Sequence, residues 1–236
     1  PFRFAITSAV INIAGFIVLM WLAPAYGDRM PISIGFVAAS LFTCSYAKYR
    51  LDSSLSLLKK TNDRLTKLSK FDPLTELLNR RALRNQSESL LAYARRHNVS
   101  LAVLMLDLDD FKKYNDKFGH QQGDEVIRQQ ASILKNIFKR ETDIVGRYGG
   151  EEFVVVLSDV DDKKLVQICE NLLKDWKEEN VPHAPGAVNA FMSCSIGAVM
   201  TKKPNDITID GLIDIADKAL YTAKDKGKAR FEIAQI

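Results

Sequence analysis

The sequence predicts an α+β fold: a ferredoxin-like βαββαβ sheet with added helices, preceded by two membrane helices and a coiled-coil stalk. Three observations predict it. Short apolar runs alternate with stretches of helical period across residues 101–223. Gly149-Gly150 stands between two β-rich runs, as a hairpin turn would. Two uncharged runs and a leucine-spaced segment precede all of this. With 236 residues the chain has room for one ordinary domain and a smaller appendage, and it opens on Pro1, as a fragment or a processed product would.

Phe4 to Ala23 is a run of 20 residues without a charge, long enough as a helix to cross a hydrocarbon core of ~30 Å. A signal peptide would carry a shorter apolar stretch and a small-residue cleavage site. Pro24, Gly27, Asp28 and Pro31 break the run, and Ile32 to Ala47 forms a second one. Two membrane helices over residues 1–47 are the reading, with a buried helical hairpin as the alternative. Residues 48–70 then hold seven Lys/Arg against Asp52 and Asp63, a local charge of +5. Cations stay on the cytoplasmic side, which puts the chain in the inner membrane with its large domain in the cytoplasm.

Leu51, Leu55, Leu58, Asn62 and Leu65 follow at spacings of 4, 3, 4 and 3, a coiled-coil seam within a helical linker at 48–70. An Asn at a core position favours a parallel dimer in one register. The alternative is an amphipathic helix packed on its own domain. The main domain is read as residues 71–236. Leu101 to Leu106 is a buried strand entering Asp107, and a helix opens near Gly123-Asp124 with Val126, Ile127, Ile133, Leu134 and Ile137 on one side. Ile144–Tyr148 and Phe153–Leu157 make the hairpin. A helix over Leu165–Trp176, a strand over Phe191–Met200 and a helix over Leu212–Ala223 complete the order, with helices on one face of the sheet.

Composition excludes several functions. Of the net +4, residues 48–70 carry +5 and residues 1–47 carry +1, so the main domain is slightly acidic at −2. A nucleic-acid groove needs clustered cations and is not expected. Cys44, Cys169 and Cys194 form no CxxC pair, and His97, His120 and His183 show no zinc spacing. Asp107 ends a strand, and Glu151-Glu152 leave the turn of an adjacent hairpin. Carboxylates at neighbouring strand ends are hard ligands suited to Mg²⁺ or Mn²⁺, and two such ions can bridge a nucleotide's phosphates. Solvated surface acids are the plain alternative.

Four blocks in order carry a resemblance. They are FDPLTELLNRR (Phe71 to Arg81), LMLDLDDFKKYNDKFGHQQGDEVI (Leu104 to Ile127), RYGGEEF (Arg147 to Phe153) and ADKALYTAKDKGKAR (Ala216 to Arg230). Together they resemble the GGDEF diguanylate cyclases over residues 71–236, and imply a sheet like that of nucleotide cyclases and polymerase palms. The resemblance implies a catalytic domain that condenses two GTP into cyclic di-GMP across a homodimer. It implies Mg²⁺ or Mn²⁺, two per GTP, held by Asp107, Glu151, Glu152 and the Leu108 carbonyl. Glu151 matches the essential motif acid and is expected to help deprotonate the attacking hydroxyl. Asn115 and Asp124 match the residues that read guanine, while Lys112, Lys224 and Lys228 match phosphate contacts. Backbone N–H groups near Phe111 are expected to cradle the terminal phosphates, and Gly149 and Gly150 to let the backbone approach the nucleotide.

Arg140-Glu141-Thr142-Asp143 matches the family's RxxD product-inhibition motif; a helix-end Arg paired with Asp is the ordinary alternative. Three positions depart from the family pattern. Glu76 stands where a glycine is usual, Lys228 replaces an arginine, and Leu173 stands where some members place a second product-binding arginine. Two competing functions stay open: a receptor that binds cyclic di-GMP without making it, and a cyclase acting on another nucleotide.

Overall fold

The computed structural model describes residues 13–18, 21, 30–68, 70–204 and 207–234. The chain divides into two compact units, Pro1–Ser69 and Lys70–Ile236. In the first unit residues 13–18 and 21 are helical, and helix α1 spans Met30–Leu68. Leu51, Leu55 and Leu58 of the expected seam are exposed on it. The side chains of Asn62 and Leu65 lie outside the described residues.

The two expected membrane helices are not found. Among the described residues no helix is long and apolar enough to cross a membrane. Ile32–Ala47 lies inside α1. Its 16 residues rise only about 24 Å, short of a ~30 Å core, and they include Ser33, Ser40, Thr43 and Ser45. α1 then continues without a break into the Lys/Arg-rich segment. Most of the first run, Phe4–Ala23, lies outside the described residues.

The second unit is built on a six-stranded mixed sheet. Its elements are β1 (Leu78–Asn79), α2 (Arg80–His97), β2 (Leu101–Leu108), α3 (Phe111–Phe118), α4 (His120–Ile137), β3 (Ile144–Gly149), β4 (Glu152–Ser158), α5 (Asp162–Glu179), β5 (Cys194–Thr201), α6 (Ile209–Asp225) and β6 (Phe231–Ala234). The strand order is β1-β3-β4-β2-β5-β6. The expected βαββαβ order forms the centre, with β2 flanked by antiparallel β4 and β5. The short strands β1 and β6 are added at the edges, each parallel to its neighbour.

Helices cover both faces of the sheet, not one. Side chains alternate along a strand, so Ala102, Leu104, Leu106 and Leu108 of β2 face Val126, Ile127 and Leu134 of α4 and Leu165, Leu172 and Trp176 of α5. Leu101, Val103 and Met105 face Leu90 and Leu91 of α2 and Leu212, Ala216 and Leu220 of α6. All eight residues of β2 and of β5 are buried, as in any strand covered on both sides. β5 begins at Cys194 and not at Phe191, because Phe191 bridges Pro182 instead.

α6 packs hard on β5. A Cβ at Gly197 would stand 2.0 Å from the Ala216 carbonyl oxygen, so only glycine lets the helix lie this close. That contact holds the C-terminal end of α6 beside the end of β2, where the acids are.

Candidate active site

Every element that positions the site ends at one edge of the sheet. β2 delivers Asp107 and the loop after it, the β3–β4 turn delivers Glu151 and Glu152, and the last turn of α6 delivers Lys224. Asp107 and Glu152 are opposite each other in the β2–β4 register. Gly150 takes φ +53 in the turn, a conformation that glycine adopts without strain. Gly149, paired with Glu152 after a register shift, is open on its Cβ side except for the Glu152 carboxylate 3.9 Å away.

The electrostatics of this edge are frustrated. Burial pushes the Asp107 carboxyl up to about 6; Lys224 pulls it down, while Glu151 and Glu152 push it further up. The Lys224 Nζ is 2.8 Å from Asp107 Oδ1. Burial also raises Glu152, and Asp217 and Glu151 add to the shift. The acids are gathered, but among the described residues no three His, Cys, Asp or Glu side chains converge as a finished metal-ligand set. Asp107, Glu151 and Glu152 of the expected metal set are brought to the same strand ends, with Lys224 Nζ on Asp107 Oδ1. Hard oxygen donors that repel one another fit a divalent cation, which would remove the repulsion.

The loop from Leu108 to Lys112 lies next to these acids. Leu108 pairs with Cys194 and buries its side chain, leaving its backbone at the strand end. Asp110 adopts left-handed φ 50, and α3 starts directly after it with no side chain capping its first N–H groups. Free amides at a helix start favour an anion. Phe111 is buried beneath them and Lys112 is exposed beside them. Lys228 Nζ reaches Asp110 Oδ1 at 2.7 Å, and Lys113 reaches the same oxygen at 3.1 Å. Burial would raise Asp110, but Lys228, the Val188 N–H and Lys113 hold it well below the usual carboxylate range.

Asn115 on α3 and Asp124 on α4 flank the bend at Gly119, which has φ +84. α4 begins at His120, so Gly123 and Asp124 sit in its first turns rather than opening it. The Asn115 carboxamide runs across Gly123, where a Cβ would come within 1.9 Å of its Oδ1. That oxygen is buried and has no hydrogen-bond partner. An unpartnered buried polar atom is costly, and a ligand donor would satisfy it. Asp124 is half-buried.

Arg140 and Asp143 are not part of this edge. They precede β3, whose six residues separate them from the Gly149 end by roughly 20 Å. The Asp143 carboxylate accepts the Arg140 backbone N–H at 3.0 Å, and the Asp143 N–H donates back to the Arg140 carbonyl at 3.0 Å. The Asp143 carboxylate is taken by the Arg140 backbone N–H rather than by its guanidinium, which is exposed. Leu173 is partly buried against the core, a packing role no arginine could fill unchanged.

Three features escaped the sequence reading. Arg147 pairs with Asp72 at 3.2 Å and donates to the Gly150 carbonyl at 2.8 Å, tying the glycine turn to the start of the domain. Asp109 is buried and collects hydrogen bonds from distant segments. Burial of His183 beside it, with Nε2 3.0 Å from the Asp109 carbonyl, gives that histidine a structural partner. Only a second acid in each motif block hinted at the first two.

A family model described as "Diguanylate cyclase, GGDEF domain" matches residues 69–230. The chain belongs to the GGDEF family. Among its relatives, diguanylate cyclase DosC of Escherichia coli K12 is 39% identical over 163 residues, 69% of this chain and 34% of that protein. Probable diguanylate cyclase DgcT of the same strain is 33% identical over 166 residues, 70% of this chain and 36% of that protein. The GGDEF chain thus spans about a third of the length of these relatives. Among solved structures, the coiled coil and GGDEF domain of DgcB from Caulobacter crescentus, in complex with c-di-GMP, has a TM-score of 0.61 at 25% identity. The match covers 80% of this chain and 99% of that one. The active GGEEF domain of a diguanylate cyclase from Vibrio cholerae has a TM-score of 0.57 at 29% identity, covering 66% and 97%.

Proposed function

We propose that this domain condenses two GTP molecules into cyclic di-GMP, releasing two pyrophosphates. One observation carries the reading: buried Asp107 and half-buried Glu152 oppose each other at the sheet edge that also holds the uncapped start of α3 and the ammonium of Lys224. Support comes also from relatives named as diguanylate cyclases and from the cyclic di-GMP bound to the Caulobacter domain.

In this reading the α3 amides near Phe111, with Lys112 and Lys228, receive the phosphates of GTP. The amide of Asn115 and the carboxylate of Asp124 read guanine, whose N1–H and N2–H₂ edge donates to a carboxylate as adenine's does not. Asp107, Glu151, Glu152 and the Leu108 carbonyl would hold Mg²⁺ or Mn²⁺, two per GTP, supplying neutralisation of charge on the phosphates. Lys224, released from Asp107, turns its ammonium to a phosphate. Glu151 takes the proton of the 3′-hydroxyl. Each 3′-oxygen bonds to the α-phosphorus of the other nucleotide as the bond from that phosphorus to the pyrophosphate breaks, so positioning and charge supply most of the rate.

One domain offers one nucleotide site, so the reading requires a homodimer; the exposed leucines of α1 support one. The exposed Arg140 guanidinium, on a turn whose backbone N–H donates to Asp143, is suited to a product phosphate or guanine and so to feedback inhibition. GTP is an intracellular nucleotide, which puts residues 71–236 in the cytoplasm. The test is turnover of GTP with Mg²⁺, the product identified by mass. Wild type forms cyclic di-GMP and Glu151→Ala loses at least a hundredfold; undiminished synthesis by that variant contradicts the assignment.

A further inference from the structure

We infer that Asp109 is a positioning residue that fixes the lysine-bearing turn against the phosphate loop and acts through Lys228. The inference rests on the cyclase reading, in which Lys228 meets a phosphate. Asp109 is 2% exposed. Its carboxylate accepts three hydrogen bonds inside the protein: Ser193 Oγ donates to Oδ2 at 2.6 Å, Ser195 Oγ to Oδ1 at 2.6 Å, and the Ala229 N–H to Oδ2 at 3.0 Å. Its backbone is used as well, the N–H donating to the Ser193 carbonyl at 2.9 Å and the carbonyl meeting His183 Nε2 at 3.0 Å. Buried to this degree and bonded to protein groups on every side that is described, it presents no open face to a nucleotide. Its action must be indirect.

The segment it holds would not hold itself. Gly227, Lys228 and Ala229 have φ of 112, 62 and 47, a run of left-handed residues of which only the glycine is unstrained. Consecutive strained residues persist where surrounding contacts over-determine them. Two bonds, from the Gly227 N–H to the Lys224 carbonyl and from the Lys228 N–H to the Ala223 carbonyl, tie the turn back to α6. The Ala229 N–H on Asp109 ties it across to the end of β2. From that position Lys228 reaches Asp110, the neighbour of Asp109 and the residue before α3. Two adjacent aspartates therefore hold one turn at two points, backbone by Asp109 and ammonium by Asp110. A buried carboxylate is a costly way to fill space. Setting where the Lys228 ammonium stands, over the helix start that would take the phosphates, accounts for its presence.

A double-mutant cycle on the full chain tests this. Affinity for guanosine α,β-methylene triphosphate, measured by calorimetry, and kcat/KM for GTP are compared for Asp109→Ala in the wild-type and Lys228→Ala backgrounds, with folding checked by circular dichroism. Expected is a loss of tenfold or more in the wild-type background and less than twofold in the Lys228→Ala background. Asp109→Asn, which retains an acceptor for the Ala229 N–H and can donate to a serine hydroxyl, stays within about threefold of wild type. Equal losses in both backgrounds overturn the inference, as does an Asp109→Asn variant no better than Asp109→Ala. Should Asp109→Ala fail to fold, Asp109→Glu, which displaces the carboxylate by one methylene, goes through the same cycle with the same criteria. If wild type binds the analogue but yields no product, the cyclase reading fails while the affinity cycle still decides on Asp109. If wild type does not bind it, both are overturned.

Discussion

Asp107 and Asp110 are three residues apart, yet their surroundings drive them in opposite directions. Asp107 lies at the end of β2 beside Glu151 and Glu152, with burial and like charge pushing its carboxyl up to about 6 against the pull of Lys224. Asp110 lies at the start of α3, where Lys228, Lys113 and a backbone N–H hold its carboxyl well below the usual range. Two lysines and a backbone N–H outweigh burial at Asp110, while at Asp107 burial and two neighbouring glutamates outweigh the single Lys224. The lesson is about roles. Asp110 is a strut of the loop, and Asp107 has the surroundings that the proposed role as a metal ligand needs.

The largest expected effect separates the two acids by activity and stability at once. Asp107→Asn should lower turnover by a thousandfold or more, yet raise the stability of the metal-free protein. The sign follows from linkage. A carboxyl raised from 3.8 to about 6 favours folding fully below its unfolded value, and that contribution is lost as pH rises through about 6. Metal-free wild type at pH 8 therefore bears a cost on the order of 3 kcal/mol that the neutral amide avoids. Denaturant melts of both proteins should differ by about that amount at pH 8 and converge below pH 4. A variant less stable than wild type at pH 8 would break the comparison.

Asp110→Asn should do the reverse. Its depressed carboxyl contributes stability above the unfolded value near 3.8, lost as pH falls through the folded value. The variant should lose on the order of 2 kcal/mol at pH 7, the scale of hydrogen bonds to a charged group. Urea melts at pH 7 check it, and an unchanged midpoint would mean the lysines contribute nothing there. Next comes Gly123→Ala, whose Cβ must displace the Asn115 carboxamide. It should raise the KM for GTP about tenfold with kcat less affected; an unchanged KM would remove Asn115 from guanine reading. Smallest is Glu76→Gly, away from both acids. Glu76 has φ +58 with an exposed side chain paired only to Lys135, so glycine should stabilise by up to about 1 kcal/mol in thermal melts without altering turnover.

What the sequence made legible was local. Apolar runs marked β2, β4 and β5, the glycine pair marked the hairpin, and together they put Asp107 and Glu152 at one sheet edge. Short edge strands carry no period, which is why the two residues of β1 and the four of β6 were missed. The second helical layer was missed because a strand buried on both faces reads as an unbroken apolar run, as Leu101 to Leu106 does. The Asp109 cluster draws on Ser193, Ser195 and Ala229, which lie 84, 86 and 120 residues away in sequence. Spacing rules cannot see that far. The reading of Ile32–Ala47 as a separate span rested on absence of charge, whereas in the structure the run is one part of a longer helix, Met30–Leu68.

The central claim is that the sheet-edge acids hold divalent cations against GTP. Electron paramagnetic resonance of Mn²⁺, titrated into wild type and Asp107→Asn with the uncleavable GTP analogue present, tests it most directly. Wild type should bind the ion at least tenfold more tightly than the variant. Equal affinity in the two proteins would mean that the metal, if it binds at all, is held somewhere else.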